Sequence, residues 1–237
     1  MVPVNDGRLD PSGWIGLRHV EEIRRIDGLS IGAGVTFTTI ERSMGAIAPA
    51  FVEAARTVGS PQIRNAATLG GNVATASPAG DSLPVLACYD ALVELVSVRG
   101  SRTVALTDFL VGPKRTLQAP DELIASIRLQ HVCGAQAFAK VGLRNAMTIA
   151  ICSLAMRLDR EGGHARVALG SVGPVVMRAE HAERLLLDGA PAAEFADAVE
   201  AAAMPIDDHR ATADYRRHAV RILATRMHAW VGGGTRG

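Results

Sequence analysis

A chain of 237 residues, 48% of them apolar, can bury one large core or two modest ones, which excludes a fibrous or low-complexity protein. Its 25 Lys and Arg against 24 Asp and Glu give no general attraction for nucleic acid or an acidic membrane surface, and no apolar run approaches the roughly 20 residues of a membrane span. Cys88, Cys133 and Cys152 are odd in number and far apart, so they are expected as small buried residues in a reducing compartment, and with no secretion signal at the start the cytoplasm is the expected location.

The apolar run at residues 14–17, followed by the charged stretch 18–26, predicts a strand leading into a short polar element, and residues 29–33 predict a second strand. Thr36, Thr38 and Thr39 offer hydroxyl caps ahead of a helix over residues 47–55, where Pro49 suits the first turn. A loop built on Gly70 and Gly71 follows. Branched residues 91–98 predict a strand whose hairpin partner contains Val104 and Leu106. Patterning lapses over residues 130–136, which places a boundary there: a first domain over 1–130 and a second over 135–231. In the second, residues 147–158 predict a long strand and residues 165–172 its antiparallel neighbour, across the turn Glu161-Gly162-Gly163-His164. Three helices close the chain, over residues 178–187, 192–203 and 212–230, with Asp188-Gly189 ending the first and Pro205 following the second. Residues 232–237 are expected to be a disordered tail. Mixed helices and short strands make the fold class α+β.

The densest chemistry lies in residues 63–81. Adjacent Gly70 and Gly71 open backbone conformations closed to other residues, at about 0.5–1 kcal/mol of chain entropy each. Their N–H groups are suited to an anion nest. Thr68 and Asn72 flank them with donors for phosphate oxygens, and the Asp81 carboxylate can accept from sugar hydroxyls. The alternative is a structural turn with Asp81 as a turn or cap residue. Upstream, Gly32-Ala33-Gly34-Val35-Thr36-Phe37 lacks the third glycine of a dinucleotide fingerprint, which argues against a Rossmann fold. No histidine pair has metal spacing and no serine sits in a hydrolase elbow, so no independent acid, base, nucleophile or metal site is assigned. Tyr215, Arg216, Arg217 and Arg221 form one short basic run, expected as a solvated or subunit-facing helix rather than a nucleic-acid contact.

Ile63-Arg64-Asn65 leading into Thr68-Leu69-Gly70-Gly71-Asn72 and on to Asp81 resembles the second flavin-contacting loop of the FAD-binding subunits of molybdenum hydroxylases, such as the carbon monoxide dehydrogenase medium subunit and the xanthine dehydrogenase flavin domain. Ile31 to Thr36, Val58 to Asn65, Asp108-Phe109, Glu122-Leu123-Ile124, Phe138 to Arg144 and Asp214-Tyr215-Arg216-Arg217 follow in the family's order. The resemblance implies an FAD-binding domain of PCMH type followed by a smaller C-terminal domain of antiparallel strands and helices. It implies FAD contacts at Ala33, Gly34, Thr36, Arg64, Thr68, Gly70, Gly71, Asn72 and Asp81, with Ile124 packed near the ring and the Lys140 ammonium stabilising negative charge on reduced flavin; a solvated strand residue is the alternative for Lys140. It also implies an oxidoreductase subunit with two partners, a molybdenum-cofactor large subunit and a 2Fe-2S small subunit, in a dimer of heterotrimers with NAD or a quinone as acceptor. The family carries an earlier Ala-Gly-Gly-Thr loop on the same pyrophosphate, and residues 1–11 look like the segment that follows it. Two expectations stay open: a start further upstream, or a shortened chain that serves as an assembly scaffold with weak or no flavin binding.

Overall fold

The computed structural model describes residue 7, residue 10 and residues 12–232. Most of the opening segment and the tail beyond Gly232 lie outside them. A 3-10 turn at Glu22–Arg24 leads into β1 (Ile26–Asp27) and β2 (Ser30–Gly32). Helices α1 (Phe37–Ser43), α2 (Pro49–Thr57), α3 (Pro61–Ala66), α4 (Leu69–Thr75) and α5 (Ser82–Cys88) follow. Then come β3 (Leu92–Ser97), β4 (Gly100–Ala105), the single turn α6 (Leu106–Phe109), β5 (Leu110–Gly112), β6 (Arg115–Thr116) and β7 (Leu123–Arg128). The remaining elements are β8 (Ala135–Val141), β9 (Cys152–Asp159), β10 (His164–Gly170), β11 (Met177–Arg178), α7 (Glu180–Asp188), α8 (Ala192–Ala202) and α9 (Ala213–Gly232).

Two antiparallel sheets organise the chain, one in the order β1-β2-β7-β3-β4 and one in the order β11-β10-β9-β8, with β5 and β6 as a separate ribbon. The fold is therefore α+β. In the first sheet β3 alternates buried and half-buried residues, as a strand with one covered face does. In the second, β9 is buried at seven consecutive positions because α5 packs on one side and α9 on the other, so its sequence reads as one continuous apolar run. The core of the first half takes in Phe138, Ala155 and Ala168 from the second sheet and Val176 just before β11, and a second core fills the space between that sheet and α7 to α9.

Several expectations change. Residues 14–17 form no strand, and Trp14 and Ile15 are exposed, because the sheet begins at β1 and offers them no ladder to join. Thr36 caps its own helix α1, accepting from the Thr39 N–H at 3.2 Å, rather than leading into α2. The glycine pair is not a loop but the first turn of α4. Residues 147–151 leave the ladder of β9: Met147 is left-handed (φ 50°), and the Arg144 guanidinium bonds the Ala146 and Met147 carbonyls in a turn. Cys88 and Cys152 are buried, while Cys133 is exposed. Arg216 is not solvated: it is buried, paired to Asp208 at 2.7 Å and bonded to the Ile151 carbonyl at 2.6 Å.

Candidate functional site

The segment 32–36 and the entry to α4 lie side by side. Thr36 and Thr68 pair in an isolated antiparallel bridge, with Leu69 N–H donating to Val35 O at 2.9 Å and Phe37 N–H to Ala67 O at 3.1 Å. Thr68 is the N-cap of α4, its hydroxyl accepting from Gly71 N–H at 3.1 Å. Gly70 N–H donates to Ala33 O at 2.8 Å, and Asn72 N–H to Thr68 O at 3.1 Å. The first turn thus spends these donors within the protein. That corrects the expected anion nest, and neither glycine is left-handed. Gly70 is glycine for packing: a Cβ there would lie 2.5 Å from the Ala33 Cβ. Gly71 differs, since a Cβ there would meet only the Thr68 hydroxyl, at 3.1 Å, leaving an open face for close approach.

These segments wall a groove of about 460 Å³, within the range of roughly 300–1,000 Å³ for small-molecule sites. Ala33, Gly34, Thr36, Thr68, Gly70, Gly71 and Ile124 all line it. Leu17, Ile23 and Leu123 add apolar surface, and Arg18 and Arg24 add positive charge at its edge. None of these five was expected at the site: Leu17 read as part of a strand, Arg18, Ile23 and Arg24 lay in a stretch that read only as charged, and Leu123 was noted only as part of the motif around Ile124. Seven of the expected contacts are therefore brought together.

The other four, Arg64, Asn72, Asp81 and Lys140, do not line this groove. Asn72 and Asp81 line a second cleft of about 420 Å³ with Gly80, Thr148 and Ile149. Asn72 Oδ1 accepts from the Ser82 hydroxyl at 2.7 Å. Asp81 occupies the position before α5 but makes no capping bond. Its Oδ2 receives the Lys140 ammonium at 2.6 Å and the Thr57 hydroxyl at 3.1 Å, while its Oδ1 is buried without a partner. Lys140 also donates to Thr57 O at 3.0 Å and Thr148 O at 3.1 Å, so its three N–H bonds are spent and it is not a solvated strand residue. Burial pushes the Asp81 carboxyl up, and Lys140 and Thr57 act against that rise. Arg64, on α3, donates to the Val58 and Gly59 carbonyls at 3.3 Å and sits 3.6 Å from Glu41. Arg64 and Lys140 line a third, larger hollow that meets the second cleft at Gly59, Arg144, Met147 and Thr148. Nothing in the sequence pairs Lys140 with Asp81, which lies 59 residues away.

The arrangement suits an elongated ligand with a flat apolar part and hydroxyls. The groove supplies apolar walls with hydroxyl groups, and Asp81 supplies a buried carboxylate oxygen free to accept. These residues fit FAD.

Comparison with known proteins gives the same group. Residues 1–130 match the family described as FAD binding domain in molybdopterin dehydrogenase, and residues 137–231 match the CO dehydrogenase flavoprotein C-terminal domain. The nicotinate dehydrogenase FAD-subunit of Eubacterium barkeri is 34% identical over 206 residues, covering 81% of this chain and 69% of its own length. The carbon monoxide dehydrogenase medium chain of Hydrogenophaga pseudoflava is 29% identical over 222 residues, covering 87% and 77%. Among solved structures, quinoline 2-oxidoreductase from Pseudomonas putida 86 superposes with a TM-score of 0.91 at 25% identity, covering 98% of this chain and 86% of that one. Cu,Mo-CO dehydrogenase superposes with a TM-score of 0.89 at 27% identity, covering 98% and 87%.

Proposed function

This chain belongs to the family of FAD binding domains in molybdopterin dehydrogenases, and from that premise we propose that it is the electron-transfer subunit of a molybdenum hydroxylase complex. In this reading residues 1–130 hold the flavin and residues 135–231 form the C-terminal domain. The observation that carries the reading is the pair of sites on opposite sides of α4: an apolar groove against Gly71, and a cleft holding the unpartnered Asp81 oxygen.

When bound, FAD supplies a carrier that accepts electrons singly or in pairs. The chain's own part is positional. Ala33 and Ile124 give a rigid apolar floor, and Gly71 leaves its backbone open to close approach. Thr36 and Thr68 present hydroxyls at the groove, and Asp81 Oδ1 would accept a hydrogen bond from a ligand hydroxyl while Lys140 holds the carboxylate in place and opposes the rise that burial gives it. No side chain here acts on an organic substrate. That chemistry falls to a large subunit bearing a molybdenum cofactor, with a 2Fe-2S small subunit between, and NAD or a quinone receives the electrons. Relatives named as medium chains and FAD-subunits support this division of labour. The complex is assigned to the cytoplasm and to a dimer of heterotrimers. Three unbridged cysteines support the compartment, and no described helix is long and apolar enough to cross a membrane.

Native mass spectrometry of the complex from its own source tests the reading. The expected result is this chain with one FAD and both partner subunits. Partners without FAD would leave it an assembly scaffold, and a lone chain that turns over with a reduced donor would make it an autonomous flavoprotein.

A further inference from the structure

A separate cleft of about 480 Å³ lies between the loop after α4, the turn joining β5 to β6, the end of β10 and the entry to α9. Three observations mark it as more than a seam. Ser171 and Lys114 line it with left-handed backbones, φ 62° and 57°, although neither is glycine. Such conformations persist where surrounding structure imposes them, and they gather at sites that bind. Here Ser171 N–H donates to Pro78 O at 2.8 Å and Lys114 N–H to Ala76 O at 3.0 Å.

Two buried polar atoms of the lining are also unpartnered, Ser171 Oγ and Arg216 Nε, on residues only 8% and 2% exposed. The rest of the Arg216 guanidinium is committed, Nη1 to the Ile151 and Ser171 carbonyls and Nη2 to Asp208 Oδ1. Arg210 takes the other Asp208 oxygen at 2.6 Å. Lys114, Arg210 and Arg216 against Asp208 leave the lining with surplus positive charge.

The remaining walls are apolar. Ile149, Met204 and Ile206 line the cleft while 60%, 60% and 72% exposed, with Pro174 beside them. A phosphate would need a full shell of donors, which these walls lack. One negative charge on an apolar body satisfies both ends. We propose that this cleft binds a small organic monocarboxylate, its carboxylate toward Arg210, Arg216 and Lys114 and its body against Ile149, Met204 and Ile206. The cleft shares no lining residue with the flavin groove and meets the Asp81 cleft only at Ala79 and Ile149, so its occupancy and flavin content are separately measurable.

Isothermal titration of the full chain with benzoate, hexanoate and inorganic phosphate tests this, with Lys114→Asn and Ile206→Glu alongside. Both positions are exposed, and asparagine tolerates the left-handed backbone. The expected result is saturable one-to-one binding of benzoate or hexanoate and none of phosphate. Binding should weaken about tenfold in Ile206→Glu and about threefold in Lys114→Asn, with flavin content unchanged in both. No saturation with either carboxylate, affinity that both substitutions leave unchanged, or tighter binding of phosphate would overturn the proposal. Binding to the isolated chain that vanishes in the assembled complex would overturn it too, and would assign the carboxylate to a side chain of a partner.

Discussion

Lys140 shows how one residue can hold three segments of the site together. Its ammonium ties together the end of α2 through Thr57 O, the residue before α5 through Asp81, and the loop before β9 through Thr148 O. Both charged side chains are 9% exposed, so solvent screens the pair little. Removing one partner strands the other charge. Lys140→Met should therefore destabilise the fold by about 3–5 kcal/mol, and the double variant Lys140→Met with Asp81→Leu by clearly less, since matched apolar groups strand nothing. Urea denaturation of wild type, both single variants and the double variant closes the cycle, and an additive result would show that the pair is not coupled. Asp81→Asn is the cleaner probe of the cleft, because an amide oxygen can still accept from Lys140 while the charge is gone.

At the scale of an element, α4 separates two reasons for a glycine. Gly70→Ala would drive a Cβ to 2.5 Å from that of Ala33, against backbone that cannot give, and should cost about 1–3 kcal/mol. Gly71→Ala meets only the Thr68 hydroxyl at 3.1 Å, and alanine favours a helix by up to about 1 kcal/mol, so stability should hold or rise. If flavin packs on that open face, Gly71→Ala should lose flavin while its melting temperature stays at or above that of wild type. Flavin absorbance per chain beside a thermal melt reads both, and full flavin content in a stable Gly71→Ala would remove the ligand from this turn. The segment's importance was legible from its glycines and hydroxyls, but its conformation was not. Two glycines argue locally against a helix, and this seven-residue helix exists because Thr68 caps it and strand-like bonds to Val35 and Ala33 anchor it. Helices α7 to α9 were legible because period and end signals agree, as where left-handed Gly189 stops α7. β7 and β8 went unread, since their pattern becomes clear only beside β3 and β9.

Across the whole molecule, the two sheets are not independent bodies with a linker between them. Phe138, Ala155, Ala168 and Val176 of the second half sit in the core of the first. Polar contacts cross the same seam: Phe138 N–H donates to Glu53 at 2.8 Å, Tyr89 Oη to Gln136 at 2.5 Å, Arg157 Nε to Cys88 O at 3.0 Å, and Arg166 pairs with Asp90 at 2.9 Å. The lapse in patterning at residues 130–136 marks where the chain passes from β7 into β8, and sequence pattern alone does not report how much is buried across that passage. A fragment of residues 135–232 would expose the α5-facing side of β9 and β10 and leave the buried Arg157 without its Cys88 acceptor and its neighbour Asp90. Burying that face again is worth about 25 cal/mol per Å² of apolar surface, enough over a few hundred Å² to equal a domain's whole margin of stability. The full chain should therefore unfold in urea as one transition by near- and far-ultraviolet dichroism alike, whereas the fragment should keep secondary structure, lose its near-ultraviolet signal and bind hydrophobic dyes. A fragment that melts cooperatively on its own would mean that the second core alone suffices, and that the seam fixes orientation rather than stability.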